Sequence, residues 1–395
     1  MGGIKYTLGN ALKTWYYRET TDDIVVPNFD PDEVQPGLTR LDLLLADRRL
    51  GVKVVELDGT VIHSWELDWF SIWPDAEHIP DGRQPRSRPG TNIHGALILD
   101  NGDLIFNFEN IGLIRVDPCG TVLWKSPHLT HHSVHLDEDD YLWVPGDTFH
   151  EKPVAGLPNH VPRFREPAVL KFSLDGELIR KISIMKVLQH NGLQGLLYLS
   201  ATSDKPLVTG DTLHLNDVET FPSTLPPGVF RTGDIMVSLR NINAVLVFDP
   251  HDLDIKYLSI GGFTRQHDPD FIDGDNISIF DNNRIADPEN GQQSRIIIES
   301  ARSGESAVYF EGSETAPFYT ALMGKHQWLD NGNLLITESK KGRVFEVNQS
   351  GKVVWEYNNI VSEGVVGIVS DASRLPVSVT AADFRKWASA CSPAH

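Results

Sequence analysis

Short apolar runs of four to seven residues, rich in β-branched and aromatic side chains, recur along the chain between turns of Asn, Asp and Gly. Runs of that length, bounded by those residues, predict β-strands joined by tight hairpins. Leu104-Ile105-Phe106 follows Asp100-Asn101-Gly102-Asp103, Ile277-Ser278-Ile279 follows Asp273-Gly274-Asp275-Asn276, and Leu334-Leu335-Ile336 follows Asp330-Asn331-Gly332-Asn333. A second kind of turn opens an outer strand that often carries tryptophan. Gly59-Thr60-Val61 leads to Trp65, Gly120-Thr121-Val122 to Trp124 and Gly351-Lys352-Val353 to Trp355, while Gly176-Glu177-Leu178 is a copy without the tryptophan. The first two of these glycines lie 61 residues apart and the next interval is 56. A period of roughly 40–60 residues with about four short strands in each predicts an all-β fold, a six-bladed β-propeller with four-stranded blades. An open sandwich would need regular strands but no repeating turn chemistry.

On this pattern the blades fall at 41–68, 92–126, 130–184, 211–261, 264–312 and 324–358. The chain divides into an N-terminal arm (1–40), the propeller (41–360) and a C-terminal tail (361–395). The first blade shows only three strands, so Val365–Ser370 or Ile24–Val26 is expected to supply the fourth and cover an open edge. Helix is nearly absent; Ala381–Ala390 is the best candidate and Gly9–Tyr17 a poorer one. The segments Trp69–Thr91 and His150–Pro167 are proline-rich and long enough to act as binding loops, the first with Arg83, Arg86 and Arg88.

Histidines punctuate the same pattern. His94, His131 and His267 each lie six residues before the aspartate of a turn, and His132, His135, His214 and His326 stand near the openings of other repeats. Imidazoles held at one place in a repeat would converge on the axis of a propeller, and such a ring is a site.

The formal net charge is −19, so nucleic acid and anionic membrane surfaces are poor partners. No apolar run is long enough to span a bilayer. Met1-Gly2-Gly3-Ile4 lacks the basic and apolar regions of a secretory signal, which reads as cytoplasmic if the chain is untrimmed. Cys119 and Cys391, far apart in sequence, suggest neither a disulfide framework nor a metal motif. Oligomeric state cannot be read from any of this.

The most specific stretch runs from His214-Leu215-Asn216-Asp217 through Ser238-Leu239-Arg240 to Gln266-His267-Asp268 and Phe280-Asp281-Asn282. It resembles the bacterial aryl-sulfate sulfotransferases, six-bladed propellers in which a His-Val-Asn-Asp-like motif is followed by Ser-Ser-Arg, Gln-His and Phe-Asp-Asn-Gly. The resemblance spans about 40–360 and is strongest over 211–283. It implies that His267 is the nucleophile that becomes a sulfohistidine, that His214 and Arg240 bind the sulfuryl group, and that His132 or His131 is the further family histidine. It also implies a periplasmic setting. The family's glycine after Phe-Asp-Asn is replaced by Asn283-Arg284 here, and 40 residues leave no room for the separate N-terminal domain of some members.

The chemistry is intelligible from the residues alone. Sulfuryl transfer from an aryl sulfate to a phenol needs a nucleophile that is neutral near pH 7 and leaves well afterwards, and imidazole is both. A guanidinium and N–H donors stabilise charge on the sulfuryl oxygens, and a second imidazole moves the phenol proton. His267, His214, Arg240 and His132 form that minimal catalytic set, with His94, His131, His135, His326 and Asn216 as substrate-binding candidates. The expected ligand is a small aromatic or sulfated molecule, and no cofactor is required. Two alternatives stay open. His94, His132, His214, His267 and His326 exceed what sulfuryl transfer requires and would suit Zn, Fe or Mn in a lyase, a hydrolase or oxygen chemistry. A non-catalytic binding scaffold is the other.

Overall fold

The computed structural model describes residues 16–391 apart from residues 22, 80–82, 202–203, 206, 286–290 and 390. Most of the Gly9–Tyr17 helix candidate lies outside the described residues.

The fold is all-β, of the propeller class, and six four-stranded antiparallel meanders carry it. Their strands occupy 39–67, 93–126, 129–183, 215–260, 267–311 and 325–358, close to the blades read from the turn pattern. The middle strands are mostly apolar and buried on both faces, as in Ala244–Phe248, or in Ile235–Leu239 with its single buried serine. Outer strands such as Val122–Ser126 and Leu178–Ser183 alternate, with one face turned to solvent. That difference explains why middle strands read as continuous hydrophobic runs and outer strands as period-two patterns.

The hairpin before the outer strand is the same in four blades. Gly59, Gly120, Gly176 and Gly351 sit at φ between 80° and 87°, a region only glycine enters without strain. The tryptophan that follows is tied to the corresponding turn of the next blade. Trp65 Nε1 donates to the Asp117 carbonyl at 3.0 Å, Trp124 to Leu174 at 2.9 Å and Trp355 to Leu57 at 2.7 Å. Each indole thus fills space between sheets and satisfies its one polar atom at the same time.

The chain clusters into two compact units, one of Met1–Phe108, Ile114–Leu123 and Tyr319–His395, the other of Glu109–Leu113 and Trp124–Phe318. In the first unit, the fourth strand of the first blade is Val369–Arg374, paired with Thr39–Leu44. The expected Val365–Ser370 is therefore a few residues too early: Val365–Gly367 pairs instead with Tyr17–Glu19, and the propeller sheets extend past residue 360 into the expected tail. Ile24–Val26 forms no strand, and Asn28–Phe29 adds a fifth strand to the last blade. Within the first blade Asp42 faces Asp371 across the ladder, and Arg40 reaches both, with Nη2 2.5 Å from Asp371 and Nε 3.1 Å from Asp42. Burial, helped by the Asp371 charge and opposed by Arg40 and Lys325, pushes the Asp42 carboxyl up to about 7.

The C-terminal helix is Ala381–Ala388, opened by a Thr380–Asp383 capping box. Its Phe384 stacks on His63, and Trp387 lies against Gly102. Contrary to the reading of two unrelated cysteines, Cys119 and Cys391 form a disulfide. Their separation of 272 residues hid a pairing that only the folded chain brings about. In the second unit the proline-rich 150–167 stretch is not a free loop. Tyr141–His150 and His160–Ser173 continue their ladder outward to His150↔Phe164, and Val208–Gly210 pairs alongside. A helix at Ile184–His190, capped by Ser183, has no counterpart in the sequence reading. Among the described residues no helix is long and apolar enough to cross a membrane.

Candidate active site

The second unit brings His131, His132, His214 and His267 together. The first strand of the third blade is broken between Leu129–Thr130 and His135–Leu136, and the break carries His131 and His132, with His132 at φ 59°. His214 stands immediately before Leu215–Thr220 at φ 54°, and His267 opens His267–Phe271. The histidines therefore do not share one register position. Bulges at Leu215/Asp217 and His267/Pro269 aim them instead. Ring centroids lie 4.9 Å apart for His131–His132, 5.0 Å for His132–His214 and 6.3 Å for His132–His267.

Each imidazole is oriented by a different partner. His267 Nδ1 lies 2.6 Å from Asn282 Oδ1 and 3.1 Å from the Arg265 carbonyl. A carbonyl only accepts, so Nδ1 carries the proton and Nε2 keeps its lone pair. Gln266, next to it, is locked by Nε2 bonds to Ser238 Oγ and the Ala244 carbonyl. Asn216 Nδ2 donates to the Gln266 carbonyl at 2.8 Å, which helps to fix the turn that carries His267.

His214 receives its orientation from Asp211. The Asp211 carboxylate takes the His214 backbone N–H at 3.0 Å and Nδ1–H at 2.5 Å, while Nε2 is buried with no protein partner. Burial pushes the Asp211 carboxyl up, but the bond and charge of His214, with Arg165 and His131, outweigh it and bring it down to about 2. Burial lowers the His214 pKa, with Asp211 opposing and Arg240 reinforcing. At neutral pH this dyad is a carboxylate beside a neutral imidazole whose Nε2 is a free base.

A second carboxylate backs the other pair. Asp147 Oδ2 lies 3.4 Å from His131 Nε2 without hydrogen-bond geometry, and His131 Nδ1 is 2.8 Å from His132 Nδ1, so the carboxylate faces a bonded imidazole pair. Arg165 holds Asp147 at 2.9 Å and reaches toward Asp211 at 3.8 Å. Both Asp147 and Arg165 come from the outward extension of the third-blade hairpin.

Arg240 follows the second strand of the fourth blade, its backbone N–H bonded to the His214 carbonyl at 3.0 Å. Burial, reinforced by the neighbouring Arg265 charge, brings its pKa down to about 10. Among the described residues no carboxylate pairs with it, and its guanidinium meets only Asn241 Oδ1, at 3.3 and 3.4 Å.

The remaining sequence candidates have surroundings of their own. His135 Nε2 bonds Thr220 Oγ1 at 2.8 Å and lines a separate cleft with Trp143 and Phe221. His94 and His326 are buried on first strands within the other compact unit. Arg88 is taken by Asp68 in a surface pair. Sequence reasoning missed Asp211, Asp147 and Arg165, and quoted Asn282 in a motif without assigning it a role. Asp211, three residues before His214, was close enough to have been seen.

A family model for the arylsulfotransferases (ASST) matches residues 95–360. No curated protein matches the chain. Among solved structures, a protein of unknown function from Bacteroides caccae is similar at 12% identity and TM-score 0.51, over 86% of this chain and 98% of that one. A functionally unknown protein from Desulfotomaculum acetoxidans matches at 13% identity and TM-score 0.41, over 80% and 78% of the two chains. Virginiamycin B lyase from Staphylococcus aureus matches at 12% and 0.38, over 74% and 87%. At such identities the likeness to the first is one of fold alone, and the other two add nothing to it. The family match covers well over half of the sequence and includes His132, Arg240 and His267, so the chain belongs to the arylsulfotransferase family.

Proposed function

We propose that the protein transfers a sulfuryl group from an aryl sulfate to a phenol, with a sulfohistidine at His267 between the two half-reactions. The observation that carries this reading is the fixed tautomer of His267. Its Nδ1–H is held by Asn282 and the Arg265 carbonyl, so Nε2 presents a lone pair beside His132, in a site that also holds the half-buried Arg240.

In the first half-reaction Nε2 attacks sulfur, the S–O bond to the aryl oxygen breaks, and the phenolate leaves with the electron pair. In the second, His214 Nε2 takes the proton of the acceptor phenol. The phenolate oxygen attacks sulfur, the N–S bond breaks, and neutral His267 returns. Arg240 is placed to meet the charge on the sulfuryl oxygens. The bonded His131–His132 pair, with the Asp147 charge nearby, supplies a second proton source for the leaving phenolate. The reaction needs no cofactor.

The test is direct. Incubation with 4-nitrophenyl sulfate should leave a sulfuryl group on His267, located by peptide mass spectrometry at neutral to alkaline pH. His267→Ala should abolish the adduct, and Arg240→Ala should slow its formation by about 10²-fold or more. Wild-type protein that releases nitrophenol without any adduct, or an adduct that survives in His267→Ala, would overturn the mechanism.

A further inference from the structure

One cation stands behind both carboxylates of the site. Arg165 Nη1 donates to Asp147 Oδ2 and to Asn110 Oδ1, each at 2.9 Å, and lies 3.8 Å from Asp211 Oδ2. The same two carboxylate oxygens face imidazoles. Asp147 Oδ2 lies 3.4 Å from His131 Nε2, and Asp211 Oδ2 accepts from His214 Nδ1 at 2.5 Å. Each carboxylate therefore has Arg165 and one histidine as neighbours. The guanidinium itself is well fixed. Its strand pairs Arg165 with Phe149, whose ring it covers at 4.9 Å from the centroid. Asn110 reaches it from a turn at φ 58° whose backbone N–H bonds the Thr130 carbonyl at 2.8 Å.

Two carboxylates placed around one nitrogen and largely out of water do not both ionise unless a cation lies with them. The Asp147 side chain is 5% exposed and that of Asp211 24%. Among the charges that favour ionised Asp211 against burial, those of His214 and His131 exist only when the rings are protonated. The Arg165 guanidinium keeps its charge throughout the neutral range. The consequence reaches His214. An ionised Asp211 only accepts, so it holds His214 as the Nδ1–H tautomer with a lone pair on Nε2. A protonated Asp211 donates to Nδ1 instead, and the ring proton then sits on Nε2, where it removes the base.

We propose that Arg165 is a positioning residue for transfer: it keeps Asp147 and Asp211 ionised together and so fixes His214 in the tautomer that accepts the phenol proton. This inference rests on the reading of His214 as the base of the second half-reaction. Arg165 touches neither the sulfuryl group nor the phenol in this role, which separates it from Arg240. It acts through Asp211, and the outward extension of the third-blade hairpin exists in part to hold it there.

The tautomer is read directly by long-range proton–nitrogen correlation spectra of histidine-labelled protein, with the His214 signals assigned by their loss in His214→Gln. At mildly alkaline pH the intact protein should show His214 protonated at Nδ1 and bare at Nε2. In Arg165→Gln the signals should move to the Nε2–H or a mixed form, and Arg165→Lys should restore the original. Turnover of 4-nitrophenyl sulfate with a phenol acceptor should fall about 10²-fold or more in Arg165→Gln, as when an anchored imidazole takes the wrong tautomer. Affinity for benzenesulfonate, an unreactive anion, should stay within about threefold, because a positioning role leaves ground-state binding in place. Circular dichroism and a thermal melt would show that each variant is folded. If Arg165→Gln does not fold, Asn110→Gly keeps the φ 58° turn, removes one acceptor from the guanidinium and should give the same changes on a smaller scale. An unchanged His214 tautomer or unchanged turnover in the folded variant would overturn the assignment. So would a loss of benzenesulfonate affinity as large as the loss of turnover, which would make Arg165 a substrate contact. Absence of transfer in the intact protein, with the tautomer still dependent on Arg165, would instead remove the sulfuryl mechanism and leave the hold on His214 standing.

Discussion

The clustered histidines differ less in themselves than in what stands behind them. Asp211 fixes His214 as an Nδ1–H tautomer with a free Nε2, and burial holds its pKa below the ordinary 6.5. As a base it must be neutral, so transfer to the acceptor phenol should rise with pH and level off below 6.5. Beneath that plateau the rate should fall about tenfold per pH unit. Asp211→Asn removes the group that opposes the lowering, so the acidic limb should move further down. It also releases the ring, and the plateau rate should drop by about 10²–10⁴-fold, as for other carboxylate-anchored imidazoles. A pH–rate profile of both proteins checks the sign and the size together. An unchanged plateau would remove Asp211 from the mechanism. His214, Arg240 and His267 were legible because they lie in short motifs. Asp147 and Arg165 were not: Arg165 lies in a proline-rich stretch that reads as loop, and Asp147 meets that stretch only where the hairpin ladder pairs it with Pro167.

At the scale of strands, local chemistry was readable and non-local pairing was not. Glycine at positive φ recurs in the same hairpin of four blades because the turn demands it, and that regularity set the period. The Val369–Arg374 strand pairs with Thr39–Leu44 over more than 300 residues, so nothing nearby in sequence fixed its register. The missed Ile184–His190 helix is a single short element between two blades, outside any repeat. The outer tryptophans give a measurable consequence. Trp124→Phe keeps most of the apolar ring but leaves the Leu174 carbonyl without its 2.9 Å donor. Its stability should fall by about 1–3 kcal/mol with little change in the dependence on denaturant. Urea unfolding measures both. Loss of less than a few tenths would mean that the indole acts by packing alone.

For the molecule as a whole, the buried charges of the first blade set a pH limit. Asp42, held at about 7 against 3.8 in a free chain, binds its proton more tightly folded than unfolded. The stability it confers is full below 3.8 and lost as pH rises through about 7. The contribution of Asp42 to the melting temperature should therefore decline as pH rises from about 4 to about 7 and level off above, and Asp42→Asn should flatten that decline. Parallel melts across the interval would contradict the assignment. The strand pairing at Thr39–Leu44 has a different consequence, one of timing. A ribosome delivers 124–318 as one uninterrupted stretch, and that unit can fold while synthesis continues. The other unit is drawn from both ends of the gene product: its first blade stays open along Thr39–Leu44 until Val369–Arg374 emerges, and the Cys119 thiol waits for Cys391. For most of its synthesis the nascent chain carries an exposed strand edge and an unpaired thiol, the state in which holding factors and thiol oxidants would act on it.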